Sequence, residues 1–432
     1  MKKTATFSFH VINLGCRVNR VESDTITALL ISLGGSAVAL ELADIVAVNT
    51  CAVTAEAEKK TRKTVRQALA RAPFAHLFVT GCSVALNEGV YTAMGNRVHV
   101  AEKFAIEDAL KAFVSAHFEA VNAVQKQVRV GALYRSRSGI KIQDGCNNAC
   151  TYCVVHIARG PAYSVPSEQI IAEAQNLLQA GARELVLTGI NLGTYFDASL
   201  PGTGKLDALL TCLLKEINTI HEQTGEYARI RLSSIEPMDV SEELIALLAC
   251  AQGVICRHLH LPLQSGSTKV LKEMNRPYTA EQYCALVDNI KRAIPEIALT
   301  TDCIVGFPGE RESDFRESCD VISYCGMSKV HVFPYSIRAN TPAALRTDQI
   351  DAKIKQEHAR VLRLLSAKLQ SRDLALRSGR EEWAFVESDT TLVTESFHSI
   401  SVDESRIAAI LTHNNYEASS VLPHNKLLRI QM

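Results

Sequence analysis

The sequence predicts an α/β protein built in three parts, and three patterns along the chain lead to this prediction. Short apolar runs alternate with amphipathic helical stretches over residues 1–120, as in a parallel sheet that carries helices on its faces. The same alternation recurs six times between residues 140 and 340, and six strand–helix units in series suit a complete or partial barrel. Residues 382–432 carry only short β-like segments, which suit a small β-barrel or sandwich.

The boundaries follow from where these patterns change. Residues 121–138 are polar and basic, which is typical of a linker, so the N-terminal part is expected to span 1–120. A long charged helix predicted at 348–378 closes the middle part, 139–378, and leaves 379–432 as the C-terminal part. The strands are predicted at 44–49, 76–80, 140–143, 184–188, 229–233, 258–262, 298–304, 329–334, 383–387, 406–411 and 427–430, and the main helices at 21–33, 56–71, 167–180, 206–222 and 279–293.

The composition excludes several classes of protein. The 46 Lys and Arg residues balance 46 Asp and Glu residues, so any nucleic-acid site has to be a local basic patch. No signal peptide and no uncharged apolar stretch long enough for a membrane span are present, which predicts a cytoplasmic protein with no membrane partner. The 13 cysteines favour metal-binding or buried thiols in a reducing compartment over a disulfide framework.

The strongest motif is a cysteine triplet directly after the first barrel strand. Cys146, Cys150 and Cys153 form a C-x3-C-x2-C loop, and thiolates are the usual ligands of iron–sulfur clusters. Three ligands leave the fourth iron of a cubane open, where the amino and carboxylate groups of a methionine derivative can bind. The alternative is a structural zinc site, which needs four ligands and would recruit His156. The position at a carboxyl strand end favours a cofactor site.

A second cysteine group is spread along the N-terminal part. Cys16, Cys51 and Cys82 each end or closely follow an apolar run that suits a strand. Because parallel strands share one carboxyl edge, the three side chains can converge there. Taken from the residues alone, three unrelated buried thiols remain the alternative.

Polar side chains also follow the barrel strands. Asn191, Ser234 and Gln264 come just after the second, third and fourth predicted barrel strands, and Asp302 lies within the fifth. On the carboxyl side of a barrel such groups bind ligands, whereas the alternative for the Ser residues is helix capping. A basic stretch within 56–71 either contacts phosphates or is a solvated helix face; its cations are Lys59, Lys60, Arg62, Lys63, Arg66 and Arg71.

Together these motifs resemble those of the radical S-adenosylmethionine (SAM) methylthiotransferases, over nearly the whole chain. The branch that modifies N6-threonylcarbamoyladenosine in tRNA is the most similar, because RLSSIEP (231–237) and HVFPYS (331–336) are typical of it. The other motifs that carry the resemblance are NLGCRVNRVESD (13–24), NTCAVT (49–54), TGC (80–82), QDGCNNACTYCVVHIARG (143–160), LTGINLGTY (187–195), HLHLPLQSGS (258–267), MNRPYT (274–279) and TTDCIVGFPGE (300–310).

The resemblance implies an N-terminal parallel-sheet methylthiotransferase domain, a radical-SAM partial (β/α)6 barrel and a small C-terminal β domain like the RNA-binding TRAM module. It implies two [4Fe-4S] clusters, the radical-generating one on the C-x3-C-x2-C loop and a second on Cys16, Cys51 and Cys82. The expected reaction is methylthiolation at C2 of N6-threonylcarbamoyladenosine at position 37, next to the anticodon. The implied partners are tRNA, an external electron donor and a sulfur donor. The SAM contacts are expected to be Asn191, Ser234, Gln264 and Asp302.

The C-terminal part departs from the family pattern, because the glycines usual in the TRAM module are missing. This puts RNA binding through that part in doubt. Two alternatives to the expected function stay open. One is the sister reaction on isopentenyladenosine in tRNA or on a ribosomal-protein aspartate, and the other is a non-catalytic RNA-binding iron–sulfur protein.

Overall fold

The computed structural model describes residues 6–119, 137–251 and 253–432. The linker predicted at 121–138 lies outside the described residues, apart from its last two, which begin the first barrel strand. None of the helices in the described ranges is both long and apolar enough to cross a membrane.

The N-terminal part is a five-stranded sheet in which every pairing is parallel, with the order β2-β1-β3-β4-β5. The central strand β3 is buried at all six residues, because helices cover both faces of the sheet. The strands are β1 (Ser8–Asn13), β2 (Ser36–Ala37), β3 (Ile45–Thr50), β4 (His76–Gly81) and β5 (Val98–Val100), and the helices are α1 (Arg17–Ser32), α2 (Ala55–Arg71), α3 (Cys82–Thr92) and α4 (Ile106–His117).

The middle part is an open barrel. Strands β6-β9-β10 and β11-β12-β13 form two parallel sheets, and single bridges from Ile230 to Ile255 and from Ser234 to His260 join them into one arc. The strands are β6 (Arg137–Lys141), β7 (Gln143–Asp144), β8 (Tyr163–Ser164), β9 (Glu184–Thr188), β10 (Arg229–Leu232), β11 (His258–His260), β12 (Ala298–Val305) and β13 (Lys329–Pro334). The six predicted barrel strands are all present, and the predicted α/β class with a partial barrel is confirmed.

Helices cover the outside of this arc and complete its apolar core. They are α5 (Val155–Arg159), α6 (Ser167–Gln179), α7 (Leu206–Thr224), α8 (Glu242–Cys250), α9 (Thr268–Glu273), α10 (Ala280–Ala293), α11 (Glu312–Cys325) and the long α12 (Ala352–Arg377). Helix α10 begins as the sequence suggests, since Thr279 caps it and Gln282 completes a capping box. The N-terminal part packs on the edge of the arc, where Val21 of α1 lies against Gly139 of β6.

The C-terminal part contains a four-stranded antiparallel sheet with the order β16-β15-β14-β17. The strand predicted at 406–411 is wrong, because those residues belong to helix α13. Asp403 caps this helix, and Ile407, Ile410 and Leu411 bury one face of it at helical spacing. The elements are β14 (Glu381–Ser388), β15 (Thr391–Thr394), β16 (Ser399–Ser401), α13 (Glu404–His413) and β17 (Leu427–Gln431).

This C-terminal sheet covers the amino ends of the barrel strands, away from the cysteine loop. Glu184 begins β9 and Arg229 begins β10, and both side chains are fully buried beneath the sheet. The guanidinium of Arg229 donates to the backbone carbonyls of Trp383 (2.8 Å) and Val393 (2.9 Å). The carboxyl ends of the barrel strands are therefore the ends left free for a functional site.

Candidate active site

The loop that carries Cys146, Cys150 and Cys153 begins with a glycine turn directly after β7. Gly145 has a φ of +68°, in the left-handed region that only glycine enters without strain. A Cβ atom at this position would lie 2.0 Å from the carbonyl oxygen of Pro161. The glycine of the D-G-C sequence is thus what lets the loop fold back on itself.

The backbone of this loop donates to two of its sulfur atoms. The N–H of Asn148 donates to Cys146 Sγ at 3.4 Å, and the N–H of Val155 donates to Cys153 Sγ at 3.3 Å. Burial raises the pKa of both thiols, and raises that of Cys153 to about 12. A thiolate forms here when a cation replaces the proton, which is what binding a metal centre does.

The third sulfur atom, that of Cys150, accepts from a buried arginine. The Nη1 of Arg276 lies 3.3 Å from Cys150 Sγ, although 126 residues separate the two in the chain. The same guanidinium forms an ion pair with Glu236 and donates to the hydroxyl of Tyr278 at 3.0 Å. Each sulfur of this triplet therefore receives a hydrogen bond, as thiolate ligands of a metal centre commonly do.

Cys16, Cys51 and Cys82 lie at one edge of the N-terminal sheet, where β1, β3 and β4 end. These three strands are parallel neighbours, and the three cysteines line the same cavity. Gly15 has a φ of +106°, and a Cβ atom there would lie 2.6 Å from the Cβ of Cys51. The glycine of the L-G-C sequence thus allows the turn before α1 to approach the end of β3.

Arg159 connects this second triplet with the cysteine loop of the barrel, because it ends helix α5, which directly follows that loop. Its Nε donates to Cys82 Sγ at 3.2 Å. Its Nη1 forms ion pairs with Asp144 (2.8 Å) and Glu22 (3.1 Å), and its Nη2 donates to Asn19 Oδ1 at 2.6 Å. Burial raises the pKa of the Cys82 thiol to about 11.

The spacing of possible metal ligands bears on the choice between zinc and a cluster. Within the described ranges, one group of three or more His, Cys, Asp or Glu side chains has all its ligand atoms within 4.8 Å of one another. It consists of His260, Asp302 and His331. Ligands of one zinc ion lie about 2.3 Å from it, and so within about 4.6 Å of each other. Neither cysteine triplet meets that limit, with or without His156. Thiolates that each bind a different iron of a four-iron cluster do not have to meet this limit.

A cavity of about 470 Å³ lies between the second triplet and the interior of the barrel. A smaller cavity of about 170 Å³ adjoins it and is lined by Cys153 of the first triplet. The two share four lining residues: Val53, Val155, Asp302 and Phe333. The second triplet and Cys153 of the first triplet therefore line adjoining cavities whose combined size is typical for small-molecule sites.

Three of the four predicted SAM contacts line these cavities. Ser234 lines the larger one, Gln264 the smaller one and Asp302 both. Asn191 lines neither. Its side chain is buried and accepts from the backbone N–H groups of Gly193 and Glu236, each at 3.1 Å. Ser234, Gln264 and Asp302 thus line adjoining cavities, whereas the Asn191 amide joins its own loop to the loop after β10.

Three further polar groups of the larger cavity were not among the predicted SAM contacts. The hydroxyls of Thr188 and Ser233 and the Nδ1 of His258 are buried, line the cavity and have no hydrogen-bond partner among the described residues. Each of them is available to a ligand, because unpaired polar atoms are costly to bury. For Thr188 and Ser233 the signal in the sequence is a polar residue at the end of an apolar strand, which a helix cap also produces. His258 begins β11 and carries no such signal.

The floor of the larger cavity combines two histidines, an aspartate and an aromatic ring. His260 Nε2 lies 3.3 Å from Asp302 Oδ1, and His331 faces the same space. Phe397 reaches the cavity from the C-terminal part, with a φ of +68° and with Arg17 5.1 Å from its ring centre. Nothing local in the sequence places Phe397 there.

Helix α2 begins at the rim of the smaller cavity, and its exposed side carries the basic stretch. Thr54 caps the helix and lines the cavity. Arg62 is paired with Glu58 at 3.1 Å, and Arg71 is paired with Glu41. The exposed cations outside these two pairs are Lys59, Lys60, Lys63 and Arg66.

Comparisons with known proteins agree with this arrangement. The model of the Radical SAM superfamily matches residues 140–322, and the model described as Uncharacterized protein family UPF0004 matches residues 8–100. The chain is 37% identical to the threonylcarbamoyladenosine tRNA methylthiotransferase MtaB of Bacillus subtilis (strain 168), over 84% of this chain and 81% of the relative. It is 36% identical to the tRNA-2-methylthio-N(6)-dimethylallyladenosine synthase of Thermoanaerobacter sp. (strain X514), over 83% of this chain and 77% of the relative.

Two solved structures share the fold at low sequence identity. One is the radical S-adenosylmethionine methyltransferase TsrM from Kitasatospora setae, with a TM-score of 0.56 at 14% identity over 79% of this chain and 77% of that chain. The other is the cobalamin-dependent S-adenosylmethionine radical enzyme OxsB, with a TM-score of 0.51 at 12% identity over 85% of this chain and 56% of that chain. At these identities the likeness concerns the fold alone.

Proposed function

The chain belongs to the radical-SAM methylthiotransferases, and from this membership we propose that it attaches a methylthio group to C2 of N6-threonylcarbamoyladenosine at position 37 of tRNA. The observation that carries the proposal is that the second triplet and Cys153 of the first triplet line adjoining cavities. Sulfur insertion needs a radical generator and a sulfur carrier within reach of the same carbon atom. Membership of the family already establishes SAM and one [4Fe-4S] cluster as cofactors.

The cysteine loop of the barrel and three polar side chains of the adjoining cavities would hold the radical generator. Cys146, Cys150 and Cys153 would bind a [4Fe-4S] cluster, and Ser234, Gln264 and Asp302 would contact SAM beside it. When bound, this pair supplies a carbon-centred radical that can remove hydrogen from an unactivated aromatic C–H bond. The barrel orients the reactants and excludes water from them. Asn191 would contribute less directly, since its amide fixes the backbone of the loop around Ser234.

The residues of the N-terminal sheet edge would hold the sulfur carrier. Cys16, Cys51 and Cys82 would bind a second [4Fe-4S] cluster, to which sulfur from a donor is attached. The proposal rests on their shared cavity and on the hydrogen bond that Arg159 gives to Cys82. Electrons would come from an external donor.

The target base has to leave its stack to enter the cavity between the triplets. Thr188, Ser233 and His258 offer it unpaired polar groups there. Helix α2 would hold the tRNA backbone outside, because its four exposed cations begin one turn from the rim. A local patch of this kind is what a chain of zero net charge requires.

Nucleoside mass spectrometry of tRNA tests the proposal. A strain without the gene is complemented with the wild-type chain, with Cys146→Ala, with Cys51→Ala and with Cys212→Ala. The last is a matched control, since Cys212 lies on α7 away from both cavities. We expect the methylthio-threonylcarbamoyl nucleoside with the wild type and Cys212→Ala, and only the unmodified threonylcarbamoyl nucleoside with the other two.

The same experiment separates the alternatives. The identity of 36% to a dimethylallyladenosine synthase makes isopentenyladenosine the second candidate substrate. Restoration of the methylthio-isopentenyl nucleoside alone would assign that substrate instead. A non-catalytic iron–sulfur protein would leave both nucleosides unchanged and, once reconstituted with two intact clusters and reduced, would form no 5′-deoxyadenosine from SAM.

A further inference from the structure

Each cysteine triplet has one buried arginine that donates a hydrogen bond to one of its sulfur atoms. Arg276 donates from Nη1 to Cys150 Sγ at 3.3 Å, and Arg159 donates from Nε to Cys82 Sγ at 3.2 Å. The side chains of Arg276 and Arg159 are 2% and 1% exposed, respectively. Arg276 follows α9, and Arg159 ends α5.

Carboxylates fix both guanidinium groups in place. Glu236 pairs with Arg276, whose Nη2 also donates to the Tyr278 hydroxyl at 3.0 Å. Asp144 and Glu22 pair with Arg159 at 2.8 and 3.1 Å. A pre-organised cation costs no reorganisation when charge at the sulfur changes, and burial strengthens its effect.

A reduced iron–sulfur cluster carries one more negative charge than the oxidised cluster. Hydrogen bonds to the sulfur atoms and nearby positive charge therefore stabilise the reduced form, and cluster potentials depend on both. The carboxylates that hold the arginines temper this effect, while each arginine nitrogen donates directly to its sulfur atom. Lys103 and Lys141 also pair with Glu22, each at 3.3 Å, and so offset part of the acidic charge around Arg159.

We propose that Arg276 and Arg159 are positioning residues that raise the reduction potentials of the two clusters, one arginine for each. The proposal rests on the assignment of both triplets as cluster ligands. Arg159 has a second consequence, because it follows Cys153 in the chain yet contacts the sulfur of Cys82. It thereby ties the loop of the radical-generating cluster directly to the ligand set of the sulfur carrier.

The test is a dithionite redox titration of the reconstituted full chain, followed by electron paramagnetic resonance of each cluster. Arg276→Gln should move the reduction equilibrium of the barrel cluster at least tenfold toward the oxidised form, a fall of about 59 mV for one electron. Arg159→Gln should do the same for the N-terminal cluster alone. Arg276→Lys and Arg159→Lys keep the positive charge, so the reduction potential of each cluster should stay close to its wild-type value. Arg377→Gln removes a buried guanidinium far from sulfur and should move neither potential.

The outcomes separate this proposal from the function it rests on. A wild-type chain that binds about four rather than about eight iron atoms has no second cluster, and the two-cluster assignment fails before any arginine variant is read. Where the wild type carries both clusters, unchanged potentials in loaded Gln variants overturn the role of the arginines. If a Gln variant does not fold, its Lys variant decides: a potential that falls by as much as about 59 mV although the positive charge is kept overturns the proposal.

Discussion

Replacement of Glu184 by Gln should loosen the C-terminal sheet from the barrel. Glu184 is fully buried and accepts from the Nε of Arg229 (2.7 Å) and from the Nε of Arg231 (2.8 Å). The same two arginines donate to the backbone carbonyls of Val393 and Thr394, each at 2.9 Å. The carboxylate is thus the shared counter-charge for two buried cations that hold the C-terminal sheet.

The size of the effect follows from burial. Removal of one partner from a buried ion cluster leaves uncompensated charge and costs about 3–5 kcal/mol. Here one neutral amide faces two guanidinium groups that have no exposed surface. The matched control is Glu381→Gln in the same sheet, because the Glu381 side chain is 41% exposed and pairs with Arg429 at 2.9 Å. Exposed pairs of this kind contribute at most about 1 kcal/mol.

Hydrogen exchange and calorimetry measure the difference. We expect Glu184→Gln to accelerate exchange in β14 and β15 and to lower the first thermal transition by roughly 10 °C or more, while Glu381→Gln changes neither appreciably. The larger cavity should also lose the ordered ring of Phe397, which the C-terminal part supplies. Protection of β14 and β15 that equals the wild type would show that packing alone docks the sheet, and would refute the assigned role of the ion cluster.

Two further predictions concern the basic helix and the interface network. The double variant Lys59→Glu/Lys63→Glu should bind tRNA more weakly, and the slope of log K against log salt concentration should be shallower by about 1–2. Lys368→Glu on α12 is the control and should leave tRNA binding unchanged. Equal losses of binding at both places would show that α2 has no specific role. Although burial alone would raise the pKa of Asp144, the Arg159 guanidinium holds it well below its usual range. Because the pKa of Asp144 is lower in the folded protein than in the unfolded chain, its negative charge stabilises the fold above about pH 4, and this stabilisation is lost as the pH falls further. Acid unfolding of Asp144→Asn should therefore depend less on pH in that range. An acid unfolding profile identical to that of the wild type would contradict this.

The sequence predicted most of the architecture because local patterns dictate it. Alternation of apolar runs and amphipathic helices requires parallel strands, and parallel strands place the cysteines that follow them at one edge, as with Cys16, Cys51 and Cys82. The strand predicted at 406–411 was wrong because a short apolar run does not distinguish helix from strand by itself. The decisive feature was Asp403, whose side chain caps the helix through the N–H of Arg406 at 2.9 Å.

The contacts that shape the site depend on the tertiary structure and leave no local trace. Arg276 reaches Cys150 across 126 residues, and Arg159 reaches Cys82 across 77. Asn191 shows the converse. Its place after a barrel strand suggested a ligand contact, yet a short polar side chain in a turn also satisfies nearby backbone groups, and the structure uses it in this way.

The two motifs that favour a threonylcarbamoyladenosine substrate divide their residues between the cavity and its walls. In RLSSIEP, Arg231 lies beneath the C-terminal sheet, Ser233 and Ser234 face the larger cavity, and Glu236 holds Arg276.

In HVFPYS, His331 and Phe333 line the larger cavity, while Ser336 accepts from the backbone N–H of Ala55 at the start of α2 (3.1 Å). Both motifs thus combine side chains that a base can touch with side chains that fix the neighbouring domains around it. We therefore expect substrate choice to depend on the few cavity residues of these motifs, and the remaining motif residues to act through the placement of the C-terminal sheet, Arg276 and helix α2.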